Sequence, residues 1–258
     1  MGQDSWDPEQ YARFRDERSR PFLDLLALVT PRPGLRMLDL GCGTGELTRL
    51  AHERLHAAET LGIDRSAAML ARAAPHAGGG LRFEPGDIDA AAGRWDLVIS
   101  NAALHWLPGH ERLVPRLCER VAPGGQLAVQ VPDNHDHPSH RVAREVGEEE
   151  PFRAALRGWR KERTVLAPER YAELLHAAGF VDLDVSLRVY PHLLDGPGAV
   201  VDWVMGTLLN DWKERLPPAL WERYLARYRE RLLAELAPAH PYLYTYRRVL
   251  FAARRPAH

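Results

Sequence analysis

The sequence predicts an α/β protein built on a mostly parallel sheet. Three observations carry this. Between residues 20 and about 132, short apolar runs alternate with amphipathic stretches of helical spacing, the pattern of successive strand–helix–strand units. A glycine-rich turn, Gly41-Cys42-Gly43-Thr44-Gly45, directly follows the first of these runs. Asp39, Asp64, Asp87 and Asn101 stand in or just after successive runs, and the carboxyl ends of strands are where open sheets of this class hold ligands.

In chain order, Leu35–Leu40 is the first strand. Leu47, Leu50, Ala51 and Leu55 then recur at helical spacing, which leaves His52, Glu53 and His56 on the solvated side. Leu61–Asp64 is the second strand, and Ser66 caps a helix over Ala67–Ala74. Leu81–Glu84, Trp95–Ser100 and Gln126–Val131 are the third, fourth and fifth strands. After Pro132 the texture changes: residues 141–178 read as helical and heavily charged. Phe180–Val189 alternates, with Val181, Leu183, Val185, Leu187 and Val189 on one face. A helical stretch with breaks at Gly196-Pro197 and Pro217-Pro218 precedes a final strand, Tyr242–Ala253. The organisation expected is one domain over 1–258. Its ligand-binding core spans 20–132, a helical insertion spans 190–241, and the last strand returns to the sheet over 242–254.

Composition narrows the function classes. The chain has 258 residues, 45% apolar and 27% charged, which supports a large core and excludes disorder. Its formal charge of −1 gives no general attraction to nucleic acid or an anionic membrane. Lys161 and Lys213 are the only lysines among 34 basic residues; the arginine excess reads as compositional, with a few guanidinium groups left to bind anions. Cys42 and Cys118 are too few for a disulfide scaffold or a Cys-based zinc site. The first residues, Met1 to Trp6, lack a basic stretch and an apolar core, so no signal peptide is expected. Trp6 stands where myristoylation needs Ser or Thr. No apolar run approaches the roughly 18 residues of a membrane span, and a cytoplasmic protein is expected.

The glycine turn carries the most chemistry. Glycines permit positive φ and let a ligand approach the backbone, and the helix behind them offers unpaired N–H groups. The spacing is Gly-x-Gly-x-Gly rather than the dinucleotide pattern. Asp39, two residues before the turn, is poor company for a pyrophosphate and suits a cation such as a sulfonium or ammonium. A carboxylate at Asp64 can take both ribose hydroxyls of an adenosine, and Asp87-Ile88 can meet an adenine amino group. This constellation resembles the class I S-adenosylmethionine-dependent methyltransferase family. The resemblance implies a Rossmann-like seven-stranded sheet with an antiparallel last strand and a cap formed by the helical insertion. It also implies S-adenosylmethionine as cofactor, S-adenosylhomocysteine as product, and a cofactor site of Asp39, Gly41, Cys42, Gly43, Gly45, Asp64, Arg65, Met69, Asp87, Ile88, Asn101 and Trp106.

Other motifs read as structural. His52-Glu53-Arg54-Leu55-His56 matches a zinc-protease pattern, but its solvated placement argues against a metal. His135, His137 and His140 with Asp136 read as a polar loop, and no metal is expected. Cys42 reads as a small buried residue. The fourth strand ends Ser100-Asn101-Ala102-Ala103, without the Asn-Pro-Pro-Tyr of enzymes that methylate DNA amino groups. The Arg and aromatic alternation over Trp221–Arg229 reads as an amphipathic helix rather than an RNA-binding surface.

Motifs outside the core are more specific. They are Trp6-Asp7-Pro8 with Tyr11 and Phe14, Arg18-Ser19-Arg20-Pro21, Asn101 to Pro108, Leu127 to Asn134, and Asp202-Trp203-Val204. Together, over nearly the full length, they resemble the trans-aconitate 2-methyltransferases. The resemblance implies methyl ester formation on a small carboxylic acid. A carboxylate is already ionised at neutral pH, so no catalytic acid or base is expected. Proximity and orientation can supply roughly 7–11 kcal/mol of barrier reduction. Donors expected around the acid are Arg18, Arg20, Tyr11, His105, Asn134, His135, Trp203 and Arg248. That family usually has Gln where His105 stands, and Arg-Pro after the Trp203 helix where this chain has Asn210-Asp211. The exchange removes a carboxylate partner and adds repulsion, which leaves another small molecule or a carrier-bound acyl thioester as the alternative acceptor. An NAD-dependent oxidoreductase is disfavoured by the glycine spacing and by Asp39, and a non-catalytic binding module by the intact motif. A monomer or weak homodimer is expected.

Overall fold

The computed structural model describes residues 15–257, with side chains from Ser19 onward. Trp6, Asp7, Pro8, Tyr11 and Phe14 lie outside the described residues, as does the side chain of Arg18. Seven strands form one sheet in the order β3-β2-β1-β4-β5-β7-β6. They are β1 Arg36–Leu40, β2 Glu59–Asp64, β3 Leu81–Pro85, β4 Trp95–Asn101, β5 Val121–Pro132, β6 Val181–Leu194 and β7 Tyr242–Arg254. β1 is parallel to both β2 and β4, β2 to β3 and β4 to β5. β7 runs antiparallel to β5, from Gln126 opposite Arg254 to Pro132 opposite Arg248. The strand order reverses between β1 and β4, and the carboxyl ends of these strands open the crevice that such sheets use for ligands.

The chain divides into two compact units. The sheet unit holds residues 16–132, 164–188 and 248–258. Its core is the apolar lattice expected of strands covered on both faces: Leu38, Leu40, Val98, Leu127, Val129 and Phe251 are all buried. Its helices are α1 Arg15–Leu26, α2 Glu46–Arg54, α3 Ala67–Ala73, α4 His110–Cys118 and, in chain order after the second unit's first segment, Pro168–Ala177. Ser66 caps α3 as expected, accepting from the Met69 N–H at 3.2 Å.

The second unit holds residues 133–163 and 189–247. It therefore includes residues 133–163 as well as the insertion expected over 190–241. Its helices are Pro138–Gly147, Phe152–Ala155, Gly198–Met205, Asn210–Lys213 and the long Pro218–Glu235. Its core is aromatic. Tyr224 stacks on Tyr228, Trp212 and Trp221, with ring centroids 6.4, 5.8 and 5.8 Å apart. Both tyrosine hydroxyls are satisfied: Tyr224 donates to the Ala143 carbonyl at 2.8 Å and Tyr228 to that of Ser139 at 3.0 Å. The aromatic residues of Trp221–Arg229 are thus buried, while Arg227 pairs with Glu149 at 2.9 Å.

Three element-level expectations need correction. The buried stripe of α2 is Thr48, Ala51, His52 and Leu55, whereas Leu50 is exposed. His52 is therefore not on the solvated side. Its Nδ1 lies 2.8 Å from the Thr60 hydroxyl and its Nε2 3.1 Å from the Gly79 carbonyl. A carbonyl only accepts, so Nε2 carries the proton and Nδ1 accepts from Thr60. Next, β6 lies at the sheet edge, so only Leu183 and Val185 of its alternating face pack on the core, while Leu187 and Val189 are exposed. Finally, β5 begins at Val121 rather than Gln126, with a register shift against β4 between Trp95 and Leu97.

Candidate cofactor and acceptor sites

The cofactor candidates converge within the sheet unit. Gly41 and Cys42 each donate a backbone N–H to the Ile63 carbonyl, at 2.9 and 3.0 Å, which fastens the glycine turn to β2. The three glycines have different jobs. A Cβ on Gly41 would lie 2.3 Å from Cβ of Ala103, and one on Gly45 would lie 2.7 Å from the Phe83 ring. A Cβ on Gly43 would meet nothing within 4 Å. Gly41 and Gly45 therefore serve packing, and Gly43, at φ +55°, leaves open space of the kind a ligand needs. Cys42 is buried, and burial raises its thiol far above the usual range, so it is an inert wall.

Asp64 ends β2 with both carboxylate oxygens engaged. The Gly43 N–H donates to one at 2.9 Å and the Ser66 N–H to the other at 2.9 Å. Each oxygen retains a second lone pair, and the bonds orient the carboxylate from the glycine turn itself. Asp39 is buried inside β1 and accepts from the Thr48 hydroxyl at 2.6 Å. Burial pushes its carboxyl up to about 7; the Thr48 bond opposes the rise and the nearby Asp64 charge adds to it. A carboxylate held at that point favours a cationic ligand that repays its desolvation. Asn101 ends β4 with a buried Oδ1 that has no hydrogen-bond partner among the described residues. The next residue, Ala102, adopts φ +51°, a strained backbone for a residue with a Cβ. An orphaned acceptor, an open glycine and an ion-seeking carboxylate fit S-adenosylmethionine. Around them, Met69 is buried on α3, Ile88 packs partly on the core, and Asp87 and Arg65 are exposed. His105 and Trp106 occupy a short turn after β4, with rings 4.7 Å apart, and the His105 carbonyl accepts from the Thr164 hydroxyl at 2.7 Å.

Of the acceptor candidates, three with described side chains stand in the sheet unit: His105, Arg20 and Arg248. Arg20 is exposed on α1. Arg248 is only 6% exposed and donates from Nη1 to Gln130 Oε1 at 3.3 Å. Gln130 Nε2 is buried without a partner among the described residues. In the second unit, Asn134 is held by the strand that follows the insertion. Its Oδ1 accepts from the Arg247 N–H at 3.1 Å, and its Nδ2 donates to the Tyr244 hydroxyl at 3.2 Å. The His135 carbonyl accepts from Arg144 at 3.0 Å, and burial with the Arg144 and Arg163 charges lowers the imidazole's affinity for a proton. Trp203 is buried against His192, Tyr244 and Tyr246, with centroids 4.6, 5.8 and 6.0 Å away. Asp211, expected to repel an acid, pairs with Lys161 and lies 3.5 Å from Arg215. Asn210 is buried and donates to the Gly206 carbonyl at 3.3 Å.

Sequence reasoning missed several contributors. Thr48 follows Asp39 on the next helix and was visible as a polar residue in an apolar stripe. Gln130, Tyr244, His192 and Lys161 had no local signal, because their partners lie far away in sequence. Within the His135, His137 and His140 cluster, His137 is a helix cap: its Nδ1 accepts from the Ser139 N–H at 3.1 Å at the start of Pro138–Gly147. Among the described residues, no three His, Cys, Asp or Glu side chains are placed to hold a metal. No helix there is long and apolar enough to cross a membrane.

A family model described as "Methyltransferase domain" matches residues 11–185, and with this sheet order and glycine turn the chain is an S-adenosylmethionine-dependent methyltransferase. The chain is 46% identical to a trans-aconitate 2-methyltransferase of Deinococcus radiodurans, over 98% of this chain and 99% of that one. It is 43% identical to one of Streptomyces avermitilis, over 98% of both chains. The chain belongs to the trans-aconitate 2-methyltransferase family. Among solved structures, the YcgJ protein of Bacillus subtilis has a TM-score of 0.60 at 14% identity, covering 92% of this chain and 99% of that one. A phosphoethanolamine N-methyltransferase 2 of Haemonchus contortus, solved with S-adenosyl-L-methionine, has a TM-score of 0.54 at 18% identity, covering 92% of this chain and 52% of that one. These likenesses show the fold alone.

Proposed function

We propose that the protein methylates a carboxylate of a small organic acid, with trans-aconitate the first candidate. The observation that carries this is the near-full-length identity to proteins named trans-aconitate 2-methyltransferase. S-adenosylmethionine supplies an electrophilic methyl group when bound. Asp39 faces its positive charge, Asp64 takes the ribose hydroxyls, Asp87 and Ile88 flank the adenine, and Asn101 Oδ1 accepts a donor at the methionine end. Gly43 lets the ligand reach the backbone, with Met69, Arg65 and Trp106 at the rim. The acceptor needs orientation and exclusion of water rather than deprotonation. Arg248 and Arg20 serve its carboxylates, with His105, Asn134, His135 and Trp203 as further donors and walls; Arg18 and Tyr11 complete the proposed set.

The pairing of Asp211 with Lys161 supports an anionic acceptor, since the carboxylate that stands in for the family's Arg-Pro is neutralised locally. An acyl carrier would need unpaired surface cations, and many exposed arginines here, such as Arg82, Arg170 and Arg227, face carboxylates. The test is a methyl-transfer screen over trans-aconitate, itaconate, isopropylmalate and monocarboxylates, with the ester identified by mass. We expect turnover of at least one polycarboxylate; no turnover of any small acid overturns the acceptor class.

A further inference from the structure

The turn after β4 is held from behind by a hydrogen-bond chain that runs in one direction. Leu104–Trp106 carries His105 and Trp106, both half-buried. Ala103, just before it, packs on the glycine turn, since a Cβ on Gly41 would lie 2.3 Å from that of Ala103. The Trp106 N–H donates to the Ala103 carbonyl at 3.2 Å, and the Leu107 N–H to that of Leu104 at 2.8 Å. The Leu104 carbonyl takes a second bond. His110, buried at the start of α4, places Nε2 2.9 Å from it. Burial lowers the affinity of this ring for a second proton. A carbonyl only accepts, so the neutral ring carries its proton on Nε2 and accepts at Nδ1. The Tyr171 hydroxyl, 2.5 Å from Nδ1, is therefore the donor, and its oxygen accepts from the Leu166 N–H at 3.2 Å.

A second tie reaches the same turn. The Thr164 hydroxyl donates to the His105 carbonyl at 2.7 Å. Residues 164–166 thus grip two successive carbonyls, that of His105 directly and that of Leu104 through Tyr171 and His110. Tyr171 is itself pinned: it is buried and stacks on Phe251 with centroids 4.5 Å apart at 20°. Just ahead of the turn, Ala102 is held at φ +51°. Strained backbone of this kind persists where its surroundings over-determine it, and two side-chain ties on one short turn supply that constraint. His110 and Tyr171 reach the site only through this backbone, and all the residues named lie in the sheet unit.

We propose that His110 is a positioning residue for the cofactor site. Through the Leu104 carbonyl it holds the turn so that Trp106 borders S-adenosylmethionine, and Tyr171 fixes its ring and tautomer. This rests on the reading of Trp106 as a rim residue and not on which acid is methylated. The test is calorimetric titration of S-adenosylmethionine into the full chain, beside thermal unfolding of each variant. In H110Q the amide reaches the place of Nε2 and can still donate to Leu104; in H110N the shorter amide reaches only the Tyr171 side. Near wild-type affinity is expected in H110Q. In H110N, Kd should rise about fivefold or more, because apparent affinity falls with the fraction of molecules whose turn is in the binding arrangement. Y171F deletes only a hydroxyl; it should raise Kd by a smaller factor, and it carries the test if H110N does not fold. Amide hydrogen exchange at Trp106 and Leu107 should quicken in H110N and Y171F but not in H110Q. W106A should also weaken binding, and H110N or Y171F should add little in that background, since both act through the same turn. Wild-type affinity in H110N and Y171F, with weak binding in W106A, overturns the proposal and leaves the rim reading standing. Equal losses in H110Q and H110N, or losses that simply add to that of W106A, make His110 a residue of the fold alone and also overturn it. Unchanged affinity in W106A removes the rim reading and the proposal with it.

Discussion

Asp39 shows how one buried side chain links ionisation to ligand binding. Its carboxyl rises from 3.8 to about 7, so between these values the cofactor-free fold holds a proton that the unfolded chain releases. Its contribution to stability therefore falls as pH rises through that window. A cationic ligand favours the ionised form, so S-adenosylmethionine affinity should rise with pH through about 7 and then level off. D39N should remove that slope, and T48V, which deletes the bond that lowers the value, should move it to higher pH. Titrations of the cofactor across pH check both; a flat wild-type profile would separate Asp39 from the cofactor. The glycines make a sharper contrast. G41A places a Cβ 2.3 Å from that of Ala103 and should lower the unfolding midpoint strongly, by a few kcal/mol as overpacking predicts. G43A meets no atom, so it should cost only about 1 kcal/mol of backbone strain while weakening cofactor binding more than fold stability. Thermal unfolding beside cofactor titration distinguishes the two.

At the level of elements, the helix after the glycine turn explains why periodicity misled. Leucines suggested one stripe, but Thr48 and His52 are buried in their place because each finds a partner, Asp39 and Thr60. A polar residue enters a core when its hydrogen bonds are satisfied there, and local sequence does not display the partner. The N-terminus of Pro138–Gly147 carries a related consequence. Burial holds His137 down to about 4, and its Nδ1 is needed as an acceptor by the Ser139 N–H. The folded state then binds fewer protons than the unfolded chain between about 4 and 6.5. Stability should be full above that range and decline as pH falls through it. H137N keeps a capping acceptor without the titration, so its stability should depend less steeply on pH than the wild type's. Equilibrium unfolding at several pH values, read by near-ultraviolet dichroism, decides this.

Across the whole molecule, two hydrophobic cores differ in chemistry. The sheet core is aliphatic, and the core of residues 133–163 and 189–247 is built on Trp212, Trp221, Tyr224 and Tyr228. Asp39, Asp64 and Asn101 all belong to the sheet unit. A ligand that binds the native state at a hundredfold its Kd stabilises by about 2.7 kcal/mol. With S-adenosylmethionine, slowed hydrogen exchange should be greatest at Arg36–Leu40, Glu59–Asp64 and the glycine turn. Equal slowing along Pro218–Glu235 would contradict that placement. Much of this was legible beforehand. The strands were visible because buried parallel strands are continuous apolar runs, and the cradle because its glycines and acids lie at fixed short distances along the chain.

The sequence by itself determined the fold class, the glycine turn and the acidic and amide residues at the strand ends around it. These are local matters: periodicity, positive φ and the end of a strand are all decided within a few neighbours. Only the tertiary structure decided which charges are paired with which. Asp211 pairs with Lys161, 50 positions away, while Arg144 donates to His135 and has no carboxylate partner among the described residues. Charge compensation depends on through-space distance, and composition, even at a net charge of −1, carries no record of it.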